Sequence, residues 1–165
     1  MILAGLAGGL NPDLETGHAL VATAVIDEDG LERVPPIRCD DRRRVICTRE
    51  VLCSTPEAKT RLREKTAADV VDMESIHFAN LAEERGWKWG VVRGISDDCS
   101  SSLPDNCSHW TDDGGRTRPW KVLQGILANP RTLTQLPGLQ RGATRAMRSV
   151  GSSLVELLAS EHATT

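Results

Sequence analysis

Two short stretches carry closely spaced acids behind apolar runs: VVDMES (70–75), with Asp72 and Glu74, and VVRGISDD (91–98), with Asp97 and Asp98. An unpaired charge inside a buried strand is costly, so acids at such places need a partner or a task. Carboxylates at strand ends can offset positive charge that develops in a reaction, or pass a proton to a departing group. The plainer reading is also available. Glu74 would be favourable at a helix N-terminus, and Asp97 and Asp98 are ordinary turn formers.

The elements that must position these acids follow from patterning. Residues 69–73 read as a strand, 74–86 as a helix with Ile76, Ala79 and Ala82 at helical spacing and Gly86 as its stop, and 88–96 as a strand. Such a β-α-β unit predicts two parallel neighbouring strands, with Glu74 and Asp97 just past their C-terminal ends and strands about 5 Å apart. Ligands of open α/β sheets bind at that edge, so the spacing offers two acids to one small molecule.

Earlier in the chain, Ile2–Ala4 reads as a strand breaking into Gly5-Leu6-Ala7-Gly8-Gly9, and HALVATAVID (18–27) as a second strand. ERVPPIRCDDRRR is loop-like. RVICTREVL is a third strand leading to a polar helix, with Ser54 or Thr55 as cap and Pro56 in its first turn. Beyond Asp98, the stretch to Pro119 is rich in turn formers, WKVLQGILANP is a short helix, and residues 139–162 read as a longer helix broken or weakened near Gly151. The alternation predicts an α/β fold with a mixed, largely parallel central sheet flanked by helices. Residues 1–98 form the core, and 99–165 add a loop and C-terminal helices packing on the same domain.

Composition narrows the function. In 165 residues the net charge is −3 with both signs mixed, which leaves no footprint for nucleic acid. Four Trp, one Phe and no Tyr make base-stacking platforms improbable. Five cysteines, Cys39, Cys47, Cys53, Cys99 and Cys107, match neither a disulfide framework nor a zinc site, so reduced thiols in the cytoplasm and no metal are expected. No apolar run approaches membrane-spanning length. GLAGG lacks the G-x-G-x-x-G order of a dinucleotide fold. Arg42-Arg43-Arg44 reads as a solvated charge run, His18 as a turn residue, and Cys99 as an incidental thiol; His77 and His109 receive no role.

GLAGGLNPDLETGHALVAT, REVLCSTPEAKTRL, VVDMES and VVRGISDD, in this order, resemble the purine nucleoside phosphorylase and methylthioadenosine nucleosidase superfamily. The tail from Leu103 to Met147 resembles the branch called hopanoid-associated phosphorylases. The resemblance implies N-glycosidic cleavage of a purine nucleoside, by phosphorolysis or hydrolysis. Glu74 would accept hydrogen bonds from the ribose 2′- and 3′-hydroxyls and Met73 would pack on the sugar. Asp97 would protonate or hydrogen-bond N7 of the purine, oriented by Ser96. Ala7 and Gly8 would line the pocket with backbone, and Val51 and Leu52 would present backbone groups to the base. Asp72 would be a supporting acid. No cofactor is implied beyond inorganic phosphate as a co-substrate, and a homo-oligomer is expected.

The same resemblance marks departures. Family members normally begin with an earlier strand, a glycine-containing phosphate loop and another strand before the GLAGGL element, so an N-terminally truncated version is implied. Leu6 stands where some phosphorylases have a serine, and His18 where an acid is common. The branch suggests an adenosine with a hydrophobic 5′ substituent. The alternative is a catalytically weak or inactive nucleoside-binding remnant.

Overall fold

The computed structural model describes residues 1–39, 42–103 and 132–163. Strand β1 (Ile2–Gly9) does not break at Gly5. It continues because β7 (Gly90–Asp97) lies parallel beside it from Ile2↔Gly90 to Ala7↔Ile95, with a register shift before Gly8↔Asp97. Pairing along a whole neighbour outweighs the weak strand preference of glycine, since what a strand propensity measures is mostly its context.

The expected second strand is two. β2 (Ala19–Val21) pairs antiparallel with β7, while β3 (Ala24–Asp27) pairs parallel with β5 (Val45–Thr48) and antiparallel with β4 (Glu32–Arg33). Ala22 N–H donates to the Val91 carbonyl, and the next residue, Thr23, donates to the Arg44 carbonyl just before β5. Consecutive residues thus bond to distant parts of one sheet, so the sheet curls on itself.

The seven strands run in the order β2-β7-β1-β6-β5-β3-β4, where β6 is Val70–Asp72. The pairings of β1 with β7, β3 with β5 and β5 with β6 are parallel, and those of β1 with β6, β2 with β7 and β3 with β4 are antiparallel. One expectation fails here. β6 and β7 are not neighbours; β1 lies between them, parallel to β7 and antiparallel to β6. Their C-terminal ends still meet, because β6 pairs only with Gly8 and Gly9 at the end of β1. Val71 and Asp97 therefore stand in one row on either side of Gly8.

Helix α1 (Pro56–Thr66) starts as its sequence dictates. The Thr55 side chain accepts from Ala58 N–H at 3.2 Å, Pro56 fills the first turn, and Ala67 closes the helix in the left-handed region at φ 54°. Helix α2 (Ser75–Glu84) buries Ile76, Ala79 and Ala82, and Gly86 follows at φ 64°. Alternate residues of β5 face opposite layers. Ile46 packs with Ile76 and Ala79 of α2, whereas Val45 and Cys47 pack with Leu62 of α1. Each fully buried Val, Ile or Leu removes enough apolar surface from water to contribute about 1.5–3 kcal/mol.

Helix α3 (Thr132–Ala163) packs on β7, β2 and β1 through Ala146, Val150 and Leu157. A Cβ on Gly94 would lie 2.7 Å from the Ala146 carbonyl oxygen, so strand and helix backbones meet there. The helix runs unbroken through Gly151, so of the expected break or weakening there the break does not occur. Burial of Val150 and Leu157 on either side offsets the roughly 1 kcal/mol that an interior glycine costs. The expected short helix at 120–130 and most of the turn-rich stretch before it lie outside the described residues. Among the described residues, no helix is long and apolar enough to cross a membrane.

Candidate active site

An open cleft of about 600 Å³, part of it solvent, lies where the ends of β1, β6 and β7 meet. The end of β1 contributes Ala7 and Gly8, and the segment after β5 contributes Val51 and Leu52. Met73 and Glu74 enter after β6, and Ser96 and Asp97 from the end of β7. All eight residues singled out from the sequence therefore border one cavity. Val51 is exposed, Met73 and Glu74 stand at the solvent side, and Asp97 is buried.

Asp97 sits in a tight set of donors. Its Oδ2 accepts from Lys59 Nζ at 2.6 Å and its Oδ1 from Ser96 Oγ at 2.6 Å. Gly8 makes room for it: a Cβ there would lie 3.3 Å from Oδ2. Lys59 is fully buried although it belongs to a helix that is polar in sequence. Its other two donors go to the carbonyls of Asp98, at 2.6 Å, and Ser101, at 3.1 Å. Three ammonium hydrogens meet three acceptors, which is how a buried ammonium is tolerated. Asp98 itself is partly exposed. Burial pushes its carboxyl up, but hydrogen bonds from Ser100 and Ser101 more than offset this and hold it below the usual carboxylate range.

Asp72 and Glu74 have separate fates. Asp72 is buried and saturated. Its Oδ1 accepts from Thr48 Oγ1 at 2.8 Å and from Ser75 N–H at 3.2 Å; its Oδ2 accepts from Ser75 Oγ and from Arg93 Nε at 2.7 Å. Thr48 Oγ1 in turn accepts from Ile76 N–H at 2.9 Å, so the first turn of α2 is capped by side chains from β5 and β6. Glu74, at the N-cap position, makes no capping bond. It turns to Arg93, whose Nη2 lies 3.1 Å from its Oε2, and its side chain stays 62% exposed. One acid thus secures the strand–helix junction while the other remains open to a ligand.

Sequence reasoning missed Lys59, Arg93 and Thr48. Arg93 is a cation in the middle of an apolar strand, a charge that had to find a counterion on another element. Lys59 stands one residue after Ala58 and three before Leu62, on the side of α1 that faces the core.

Of the other candidate residues, Cys53 borders the cleft, and the described histidines and the arginine run do not. His18 Nδ1 accepts from Glu15 N–H at 3.4 Å within a turn, and His77 is exposed, 3.5 Å from Glu50. Arg43 pairs with Glu32 at 3.3 Å on the surface. Cys39 is exposed, Cys99 half-buried, and Cys47 and Cys53 buried. Burial, reinforced by the nearby Glu28 carboxylate, pushes the Cys47 thiol up to about 12, and burial also raises Cys53. His109 and Cys107 lie outside the described residues. Among those described, no cluster of three or more His, Cys, Asp or Glu side chains could hold a metal ion.

Comparison with known proteins adds the family. The profile of the phosphorylase superfamily matches residues 37–128. No curated protein matches the chain in sequence. Among solved structures, a variant of Helicobacter pylori methylthioadenosine nucleosidase with 5′-methylthioadenosine in its active site superposes at a TM-score of 0.57. It is 18% identical, over 94% of this chain and 68% of that one. The 5′-methylthioadenosine/S-adenosylhomocysteine nucleosidase of Campylobacter jejuni gives 0.52 at 24% identity, over 62% and 57%. Futalosine hydrolase of Helicobacter pylori gives 0.51 at 21%, over 61% and 58%. The chain thus spans less than two thirds of the length of the latter two. At these identities the likeness is one of fold, and the curled mixed sheet with its helices is the nucleosidase fold.

Proposed function

This chain belongs to the phosphorylase superfamily, and we propose that it cleaves the N-glycosidic bond of a purine nucleoside. The observation that carries the reading is the pairing of an open and a buried carboxylate, Glu74 and Asp97, on one cleft. Cleavage leaves positive charge on the ribose ring and an electron pair on the purine. Glu74, held by Arg93, accepts the ribose hydroxyls and offsets the first charge. Asp97, oriented by Ser96, protonates N7 or holds the proton there by a hydrogen bond, relieving the second. Met73 packs on the sugar, and the backbone at Ala7, Gly8, Val51 and Leu52 frames the base.

The attacking group is water or inorganic phosphate. Exposed Val51 and Met73, with Leu6 and Leu103 on the same lining, suit a nucleoside carrying a hydrophobic 5′ substituent. A homo-oligomer in the cytoplasm completes the reading.

The test is release of free base from adenosine, inosine, methylthioadenosine and a 5′-alkyl adenosine, each with and without phosphate. Release that needs phosphate identifies phosphorolysis, and release without it identifies hydrolysis. Good turnover of small nucleosides with none of the 5′-alkyl compound removes the hydrophobic substituent from the reading. Saturable binding without product after prolonged incubation replaces the enzyme by an inactive nucleoside-binding remnant.

A further inference from the structure

Lys59 joins the buried acid to the segment that runs from β7 to the wall of the cleft. Its Nζ holds Asp97 Oδ2 and, through the carbonyls of Asp98 and Ser101, the segment that follows β7. The far end of that segment is tied as well: Leu103 N–H donates to the Ser54 carbonyl at 2.8 Å, beside the Val51–Cys53 wall. Lys59 itself does not border the cleft. It is fully buried, and its backbone is fixed in the first turns of α1 by the bond from its N–H to the Thr55 carbonyl at 3.0 Å. A fold that spends a buried ammonium here could have used an apolar side chain of similar volume, which is often no less stable.

We propose that Lys59 is a positioning residue: without touching substrate, it sets the Asp97 carboxylate against the leaving base and makes that placement depend on the 98–103 segment being seated. This rests on the nucleoside-cleaving reading above. Lys59 takes up one carboxylate oxygen from behind while Ser96 takes the other from the side, so rotation of the carboxylate is restricted. The carbonyls of Asp98 and Ser101 use the remaining two donors. Displacing the segment would strip the ammonium of two acceptors and loosen its hold on Asp97.

Four proteins test this: wild type, Lys59→Met, Asp97→Asn and the double variant, compared for kcat and KM of base release, with folding checked by thermal melts. Lys59→Met is expected to lower kcat about 100-fold, the scale of a misplaced reacting group, while KM stays within about threefold. In the Asp97→Asn background the same change is expected to alter kcat by less than about twofold, because Lys59 acts through Asp97. An equal loss in both backgrounds, or a loss carried by KM, overturns the proposal. If Lys59→Met does not fold, Lys59→Gln, which retains an amide donor, replaces it on the same criteria. If wild type cleaves no nucleoside, the functional reading fails and the four proteins are compared for adenine binding. Weakening by Lys59→Met only where Asp97 is present then supports the positioning role, and equal weakening, or none, overturns it. No adenine binding by wild type overturns both.

Discussion

Arg93 passes so close over Gly5 that a Cβ on that glycine would lie 2.2 Å from the guanidinium Nη1. The two residues are paired across β1 and β7, and the side chain crosses β1 at that point to reach Asp72 and Glu74 beyond it. Gly5 is therefore a passage for a cation.

Closing the passage with Gly5→Ala should displace Arg93 from Asp72. Overpacking of this kind costs about 1–3 kcal/mol, so urea unfolding should show a lower midpoint. Glu74 would also lose its anchor, and KM for the nucleoside should rise. An unchanged midpoint and KM would mean that Arg93 has another route.

Asp72 and Glu74 should separate cleanly under mutation. Asp72→Asn removes the charge partner of a buried arginine and should cost about 3–5 kcal/mol in chemical denaturation, whatever it does to turnover. Glu74→Gln changes an exposed group and should leave stability within about 0.5 kcal/mol. It should still lower kcat/KM about 100-fold by weakening the anion near the sugar. Reversal of this pattern would exchange the roles assigned to the two acids.

Asp97→Asn should slow base release by about 10²–10⁴, the usual worth of a positioned proton-transfer group. The comparison belongs on protein shown by near-ultraviolet dichroism to be folded, because Lys59 loses its charge partner. Base release as fast as wild type would remove Asp97 from the chemistry.

The cysteines predict an alkaline signature. The folded protein keeps the Cys47 thiol protonated up to about pH 12, against an ordinary value of 9.0. Between these values the unfolded chain loses the proton and the native state retains it, so stability present below pH 9 is lost as pH rises toward 12. Cys47→Ala should make that decline shallower in melts taken across the range. At pH 8, a thiol reagent should modify Cys39 and Cys99 in the native protein far sooner than Cys47 and Cys53.

Local signals read well from sequence. Thr55-Pro56 opens α1 and the Ile76, Ala79, Ala82 stripe is buried, because caps and helical stripes are decided within a few residues. Pairing across the chain read poorly. Nothing local in GLAGG says that β7 will carry it as a continuous strand, or that β1 will part β6 from β7. Glu74 and Asp97 border one cleft although the strands that carry them are not neighbours, since the ends of those strands converge across β1. Lys59 and Arg93 were overlooked for a related reason. A buried cation is recognisable only when its acceptors are known, and theirs come from distant segments.

Strand β1 also has a consequence for how the molecule is made. Its partners are residues 70–71 and 90–97, so the strand leaves the ribosome long before either exists. Until Asp97 has been synthesised, an apolar strand waits without its long neighbour, and pairings this distant in sequence form slowly. Nascent chains stalled short of β7 should therefore be the species that chaperones hold, and the cleft should be among the last features of the domain to form.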